Sequence, residues 1–242
     1  MKTIAMIPAR YAATRFPGKL MQVLGDKTII RHTYENAVAT RLFDEVLVVT
    51  DSPVIFNEIT HHGGYVIMSK RPHESGSDRI AEAVADLEVD IILNVQGDEP
   101  FIKREPLQNL LAAFEGKPGE SVHVASLMQV LKDTDLLNNP NTVKVVVDKN
   151  MDALLFSRYP VPYQREENNK PVYFQHIGVY AFRKRALMNF SIMAVSPLEA
   201  AEKIECLRYL ENGVKIRMVE TFYQGVSIDT PEDLEKAKKL LS

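Results

Sequence analysis

The sequence predicts an α/β fold built on a mixed, mostly parallel sheet with helices on both faces. Three observations carry this. Short, near-continuous apolar runs recur through the first hundred residues, as expected of strands buried on both sides. Segments of helical period separate them, which is the alternation of a parallel sheet. In the second half several strand-like runs follow one another without full helices between them, which makes the sheet mixed.

Ile4 to Ile7 reads as a buried strand, followed by a loop to about Leu24 and a helix over Thr28 to Thr40. Glu45 to Thr50 is a second strand, and a helix from Pro53 to His62 ends at Gly63-Gly64. Tyr65 to Ser69 is a third, short strand. The polar loop RPHESGSDR leads into a helix from about Asp78 to Leu87, with Ser77 as its expected N-cap, and Asp90 to Gln96 is a fourth strand. Beyond it, Val122 to Val130, Thr142 to Val147, Ala153 to Ser157, Val172 to Phe182 and Val214 to Phe222 read as strands. Pro197 to Asn212 reads as one long helix with an apolar stripe at Ala201, Ile204, Leu207 and Leu210, and Thr230 to Leu241 as a last helix. The Pro-, Asn- and charge-rich stretch from Pro160 to Pro171 reads as a mobile loop. The whole is expected to be a single domain over 1–242, with a smaller strand-rich region near 120–190.

Composition narrows the function. With 45% apolar and 25% charged residues, the 242-residue chain is ordinary globular material, long enough for a full core. A net charge of -3 argues against a non-specific nucleic-acid binder. The single cysteine, Cys206, excludes an internal disulfide and fits a reducing cytoplasm. The apolar start is closed by Pro8 and Arg10, too short for a signal-peptide core, and no run approaches the ~20 apolar residues of a membrane span.

The chemistry gathers in loops. After the first strand, IPARYAATRFPGKL places Arg10, Arg15 and Lys19 among the small residues Ala9, Ala12, Ala13 and Gly18, with Pro17 stiffening the loop. Strand carboxyl ends are where open α/β sheets bind ligands, and arginine forks with a lysine point charge suit a polyphosphate. The spacing matches neither a P-loop nor a dinucleotide fingerprint, and a solvated charged loop would read the same way. NVQGDEP brings Asp98 and Glu99 to the end of the fourth strand. A carboxylate there suits Mg²⁺, which takes one or two carboxylates plus substrate phosphates, although a turn aspartate could serve only its own backbone. In GVSIDTPEDLE, Thr230, Pro231 and Asp233 make a helix start that does not use Asp229, leaving Asp229 as a second metal carboxylate or a solvated acid. Arg71, His73, Ser75, Gly76 and Ser77 could hydrogen-bond a base and ribose, or simply cap a helix. Arg158, His176, Tyr180 and Glu205 lie beside strands or on a helix and would suit a polyhydroxylated acid; His176 alone would read as a core histidine.

Taken in order, IPARYAATRFPGK, Thr50-Asp51, RPHESGSDR, NVQGDEP, NPNTVKVVVD, FSR with VP, HIGVYAF, SPLE with EKIE and LR, and DTPEDLE resemble the 3-deoxy-manno-octulosonate cytidylyltransferases over nearly the whole chain. The resemblance implies a three-layer α/β/α sandwich of the nucleotide-diphospho-sugar-transferase type, a homodimer, and a Mg²⁺-dependent transfer of CMP from CTP to 3-deoxy-D-manno-octulosonate (KDO) for lipopolysaccharide synthesis. By position it gives the triphosphate to Arg10, Arg15 and Lys19, with Arg15, Lys19 and Asp98 catalytic. It gives the nucleoside to Arg71, Ser75 and Gly76, Mg²⁺ to Asp98 and Asp229, and KDO to Gln96, Arg158, His176, Tyr180 and Glu205. Cys206 stands in IECLR where many members carry glutamine, so an analogue such as 8-amino-KDO stays open as the sugar. A neuraminate cytidylyltransferase and a silent nucleotide-binding module are the other readings. The first usually continues IPAR with Gly-Ser-Lys, and the second has little use for paired metal carboxylates.

Overall fold

The computed structural model describes residues 1–242 except 13–15, 74, 167, 169, 224 and 242, with nothing described of the Thr134 side chain. The chain divides into two compact units, Met1–Leu107 with Gln224–Ser242, and Gln108–Tyr223.

The first unit begins with β1 (Thr3–Ala9), buried along nearly its whole length. A turn of 3-10 helix (Lys19–Met21) and a small hairpin of β2 (Val23–Leu24) and β3 (Lys27–Thr28) follow. Next come α1 (Ile29–Ala39), β4 (Glu45–Thr50), α2 (Pro53–His61), β5 (Val66–Met68), α3 (Gly76–Val84) and β6 (Ile91–Asn94). The hairpin was not foreseen: its strands are two residues each, below any period-2 signal. α1 starts and stops within a residue of expectation because Thr28 caps it, accepting from Arg31 N–H, and α2 starts at Pro53 behind the cap Ser52.

In this unit the strands run parallel in the order β6-β1-β4-β5, with Ile4 opposite Glu45 and Ile92. Parallel crossovers are right-handed. The path through α1 to β4 and through α2 to β5 steps one way across the sheet, and the path through α3 to β6 steps back. Hence α1 and α2 cover one face and α3 the other. This explains why Ile4, Met6 and Ile7 are at most 1% exposed on adjacent positions of β1. The reversal of direction lies between β1 and β6, so the loops after these two strands flank the crevice where such sheets take ligands.

α4 (Arg104–Ala112) carries the chain out of the first unit. The second unit holds α5 (Gly116–Glu120), β7 (Val124–Val130), α6 (Thr134–Leu137), β8 (Lys144–Val147), β9 (Ala153–Ser157), β10 (Phe174–Arg183), α7 (Lys184–Ile192), α8 (Pro197–Glu202), α9 (Leu207–Glu211) and β11 (Ile216–Glu220). β11 runs parallel to β7, whereas β7, β10, β8 and β9 pair antiparallel in that sequence. The sheet is therefore mixed, as expected. Apart from Glu167 and Asn169, which lie outside the described residues, the stretch 160–171 runs without helix or strand. α10 (Pro231–Lys238) returns to the first unit behind a capping box of Thr230 and Asp233.

Two expectations need correction. The long helix over Pro197 to Asn212 is two helices, because Lys203 adopts a left-handed conformation (φ 54°) that ends α8. Ala201 is exposed, although Ile204 and Leu207 are buried. Bidentate pairing of buried Arg208 with Glu199, at 2.6 and 2.7 Å, ties the two short helices together. The helix after RPHESGSDR starts earlier than expected. Its cap is Ser75, which accepts from Asp78 N–H at 3.1 Å, while Ser77 is buried within the first turn. Among the described residues no helix is long and apolar enough to cross a membrane.

Candidate active site

The loop after β1 is drawn closed by Gly18 N–H, which donates to the Tyr11 carbonyl at 3.1 Å. Gly18 has φ 66°, a conformation that costs a side-chain-bearing residue, and it turns the chain into the 3-10 turn that presents Lys19. Arg10 is exposed directly after β1, and Arg15 lies outside the described residues. The loop after β6 lies close against this one. A Cβ on Gly97 would stand 3.1 Å from the Pro8 carbonyl oxygen and 3.4 Å from Leu20 Cδ1, so a side chain here would crowd the two loops where they meet. Thr33 of α1 fixes the same turn by donating to the Gly97 carbonyl at 2.9 Å.

These constraints bring Asp98 to Lys19. Nζ of Lys19 lies 2.5 Å from Oδ2 of Asp98 and 2.9 Å from Oδ1 of Asp229. Asp229 arrives on the segment before α10, which is laced to the β6 loop by Ile228 N–H donating to the Asp98 carbonyl at 3.0 Å. Burial works against the Lys19 ammonium, but the Asp98 carboxylate, by charge and hydrogen bond, and then Asp229 outweigh it and hold its pKa above the ordinary lysine value. Lys19 is therefore a fixed cation. Neighbouring Glu99 is buried, and desolvation first, with the Asp98 charge second, pushes its carboxyl up to about 7.

Asp98 and Asp229 fit Mg²⁺ by donor chemistry. They are two carboxylates from separate loops converging on one cation, at the strand ends where phosphates would supply the remaining oxygens. Among the described residues no three His, Cys, Asp or Glu side chains gather into a metal cage, and a cage of that kind is not what Mg²⁺ needs.

The loop before α3 is organised by two residues not singled out in the sequence. Arg79, 4% exposed, donates to Asp51 at 2.8 Å and to Ser69 at 2.9 Å, joining the ends of β4 and β5. Glu82, one turn on, accepts from Lys70 N–H at 2.7 Å, contacts His73 Nε2 at 3.1 Å, and pairs with Arg71 Nε at 3.3 Å. Arg71 is thus anchored while its side chain stays 73% exposed, open to a ligand. Ser75 caps α3 and Gly76 opens it.

In the second unit, β10 carries a bulge between Ile177 and Tyr180. Four residues of regular strand would span about 13 Å. Here the rings of His176 and Tyr180 lie 5.4 Å apart, with Phe156 edge-on to His176 at 4.9 Å. Burial holds the His176 pKa down to about 4, so the imidazole is neutral. Tyr180 is hydrogen-bonded to Cys206, and burial first, then Cys206, raises its pKa. Cys206 itself is 2% exposed and pushed by burial up to about 12. It is a packed thiol, not a reactive one. Glu205 is exposed on the turn before α9.

Arg158 is spent on main chain. Its guanidinium donates to the carbonyls of Glu202 at 2.5 Å, Pro140 at 2.7 Å and Lys203 at 3.3 Å, capping the end of α8. Lys144, fully buried, donates to the carbonyls of Asn139, at 3.2 Å, and Arg158. A lone lysine inside the apolar run TVKVVV was the sequence signal for it. Gln96 sits partly buried beyond β6 in the first unit.

Comparison with known proteins gives the same direction. The family model for cytidylyltransferases matches residues 4–216. The 3-deoxy-manno-octulosonate cytidylyltransferases of Christiangramia forsetii and Flavobacterium johnsoniae are 60% and 59% identical over 241 residues, taking in 100% of this chain and 97% and 99% of theirs. Among solved structures, CMP:2-keto-3-deoxy-manno-octonic acid synthetase complexed with CTP superposes with a TM-score of 0.93 at 39% identity, covering 100% of this chain and 98% of that one. The 4-diphosphocytidyl-2C-methyl-D-erythritol synthase of Anaerococcus prevotii, at TM-score 0.64 and 19% identity over 99% of this chain and 98% of its own, shares the α/β fold. With full-length identity at this level and Lys19 meeting two carboxylates at the switch point of the sheet, the chain belongs to the 3-deoxy-manno-octulosonate cytidylyltransferase family.

Proposed function

We propose that the protein joins CMP from CTP to KDO, releasing pyrophosphate and giving CMP-KDO for lipopolysaccharide synthesis. The observation that carries this reading is the convergence of Asp98 and Asp229 on Lys19 in a chain 60% identical to a KDO cytidylyltransferase. The anomeric hydroxyl oxygen of KDO attacks the α-phosphorus in line. The new O–P bond forms as the bond to pyrophosphate breaks, and the hydroxyl proton leaves to solvent. Such transfers depend on positioning and electrostatics, and no side-chain nucleophile is required.

Lys19 neutralises charge on the phosphates, and its ion pairs keep it protonated and fixed while it does so. Arg10 and Arg15 add forked donors to the same triphosphate. Arg71, Ser75 and Gly76 take the nucleoside, on a loop that Glu82 and Arg79 stiffen. Asp98 and Asp229 would hold Mg²⁺, which when bound supplies charge to the phosphate and sugar oxygens and eases loss of the hydroxyl proton. Gln96, His176, Tyr180 and Glu205 are assigned to KDO; Arg158 holds the end of α8 that leads to Glu205. The enzyme works as a homodimer in the cytoplasm. Pyrophosphate release assayed with CTP, KDO and Mg²⁺, and with each omitted or CTP replaced by ATP, GTP or UTP, tests the reading. Release that requires all three supports it; release with a neuraminate but not KDO, or none despite CTP binding, overturns it.

A further inference from the structure

The bulge in β10 contains an arrangement that fixes a proton. Ser126, fully buried on β7, has its Oγ 2.9 Å from His176 Nε2, 2.9 Å from the Val179 carbonyl oxygen and 3.2 Å from the Ile177 carbonyl oxygen. A serine hydroxyl carries one proton, and carbonyl oxygens can only accept. Two carbonyls compete for that proton. A lone pair on Nε2 would be a third competitor and would leave close oxygen–oxygen contacts undonated. The arrangement that leaves fewest contacts undonated sends the serine proton to a carbonyl and has Oγ accept from Nε2–H.

Nδ1 is then the ring's lone pair. Among the described residues it makes no hydrogen bond, although the His176 main-chain N–H is used by the Val143 carbonyl at 2.8 Å. Phe156 and Tyr180 flank the ring and limit its rotation. As a residue His176 retains partial exposure.

We infer that Ser126 is a positioning residue that locks His176 in the Nε2–H tautomer and so offers Nδ1 as the acceptor for a hydroxyl of the sugar acid. Only the identity of that donor rests on the proposed KDO reading. The neutral state of the imidazole agrees, since an imidazolium would have no lone pair to offer.

Long-range ¹H–¹⁵N NMR of the ligand-free, ¹⁵N-labelled protein at pH 7 reads the tautomer directly. The signals of His176 are assigned by their loss in His176→Gln, and six histidines leave little overlap. The wild type should show Nε2 protonated and Nδ1 bare. Ser126→Ala should give a mixture of tautomers and raise the KM for KDO about tenfold, the size of one neutral hydrogen bond, with the KM for CTP unchanged. Ser126→Thr keeps the hydroxyl and should restore both. A wild-type His176 protonated on Nδ1, or on both nitrogens, overturns the inference, as does an unchanged spectrum in Ser126→Ala. A shifted tautomer with unchanged KM for KDO overturns the acceptor role. Turnover with another acidic sugar and not with KDO overturns the substrate reading and leaves the tautomer result standing.

Discussion

The Lys19 ammonium lies 2.5 Å from the Asp98 carboxylate, a residue 79 positions further along the chain. The contact joins the loops after β1 and β6, and it makes Asp98 answer to two cations, the lysine and the proposed metal. Asp98→Asn should therefore lose about 2–4 kcal/mol of transition-state stabilisation, roughly 30- to 10³-fold in kcat/KM. Pyrophosphate release measured across a Mg²⁺ titration checks this. Near-wild-type turnover with an unaltered metal requirement would remove Asp98 from the site.

Lys19 itself competes for the space between the carboxylates. Replacing it in Lys19→Met removes one positive charge that both Asp98 and Asp229 now use. In the absence of nucleotide the mutant should bind Mn²⁺ more tightly than the wild type, while its turnover falls by roughly 10²-fold. Titration of Mn²⁺ followed by electron paramagnetic resonance separates the two effects. Weaker Mn²⁺ binding by the mutant would mean that the carboxylates do not act as a metal pair.

The first unit was legible in the sequence because its elements announce themselves locally. Thr28, Ser52 and Thr230 are good caps, and β1, β4 and β6 are short apolar runs. The loop cations and acids could be read as ligand-binding from their place at strand ends. Their partners could not. That Asp98 and Asp229 share Lys19 is a tertiary fact, decided by Gly97 admitting the β1 loop and by Ile228 lacing the two acidic segments. The long helix failed for a comparable reason: helical period continues through Lys203, and only its left-handed backbone, held by Arg158 on the carbonyls behind it, breaks the run. The approach of His176 to Tyr180 was not legible either, because the bulge that brings the two rings together has no sequence period.

Glu199 is the next most exacting position. Its carboxylate takes two hydrogen bonds from Arg208, and both side chains are under a tenth exposed. Arg208 also lies 4.1 Å above the Phe190 ring. Glu199→Ala leaves a buried guanidinium without its counter-charge and should cost about 3–5 kcal/mol. The double substitution Glu199→Leu, Arg208→Met should recover much of that, since apolar replacement of a buried pair is often close to neutral. Urea unfolding followed by circular dichroism tests both. A loss below about 1 kcal/mol in Glu199→Ala would place the pair with exposed ones.

His176 gives a pH dependence whose sign can be worked out. Its folded pKa, about 4, lies below the ordinary histidine value of 6.5 that the unfolded chain would show. Above pH 6.5 the ring is neutral in both states and contributes nothing to the slope. Between 6.5 and 4 the unfolded chain takes up a proton that the folded one refuses, so stability falls as pH falls. One pKa unit is worth about 1.4 kcal/mol, so about 3 kcal/mol is lost by pH 4 through this group. Other carboxylates and histidines titrate over the same range, so the comparison is with His176→Phe, which keeps an aromatic ring between Phe156 and Tyr180. Unfolding free energies from urea titrations at pH 7 and pH 5 should draw apart by about 2 kcal/mol more in the wild type than in the mutant. Equal pH dependence in the two proteins would mean that the ring accepts its proton in the folded state.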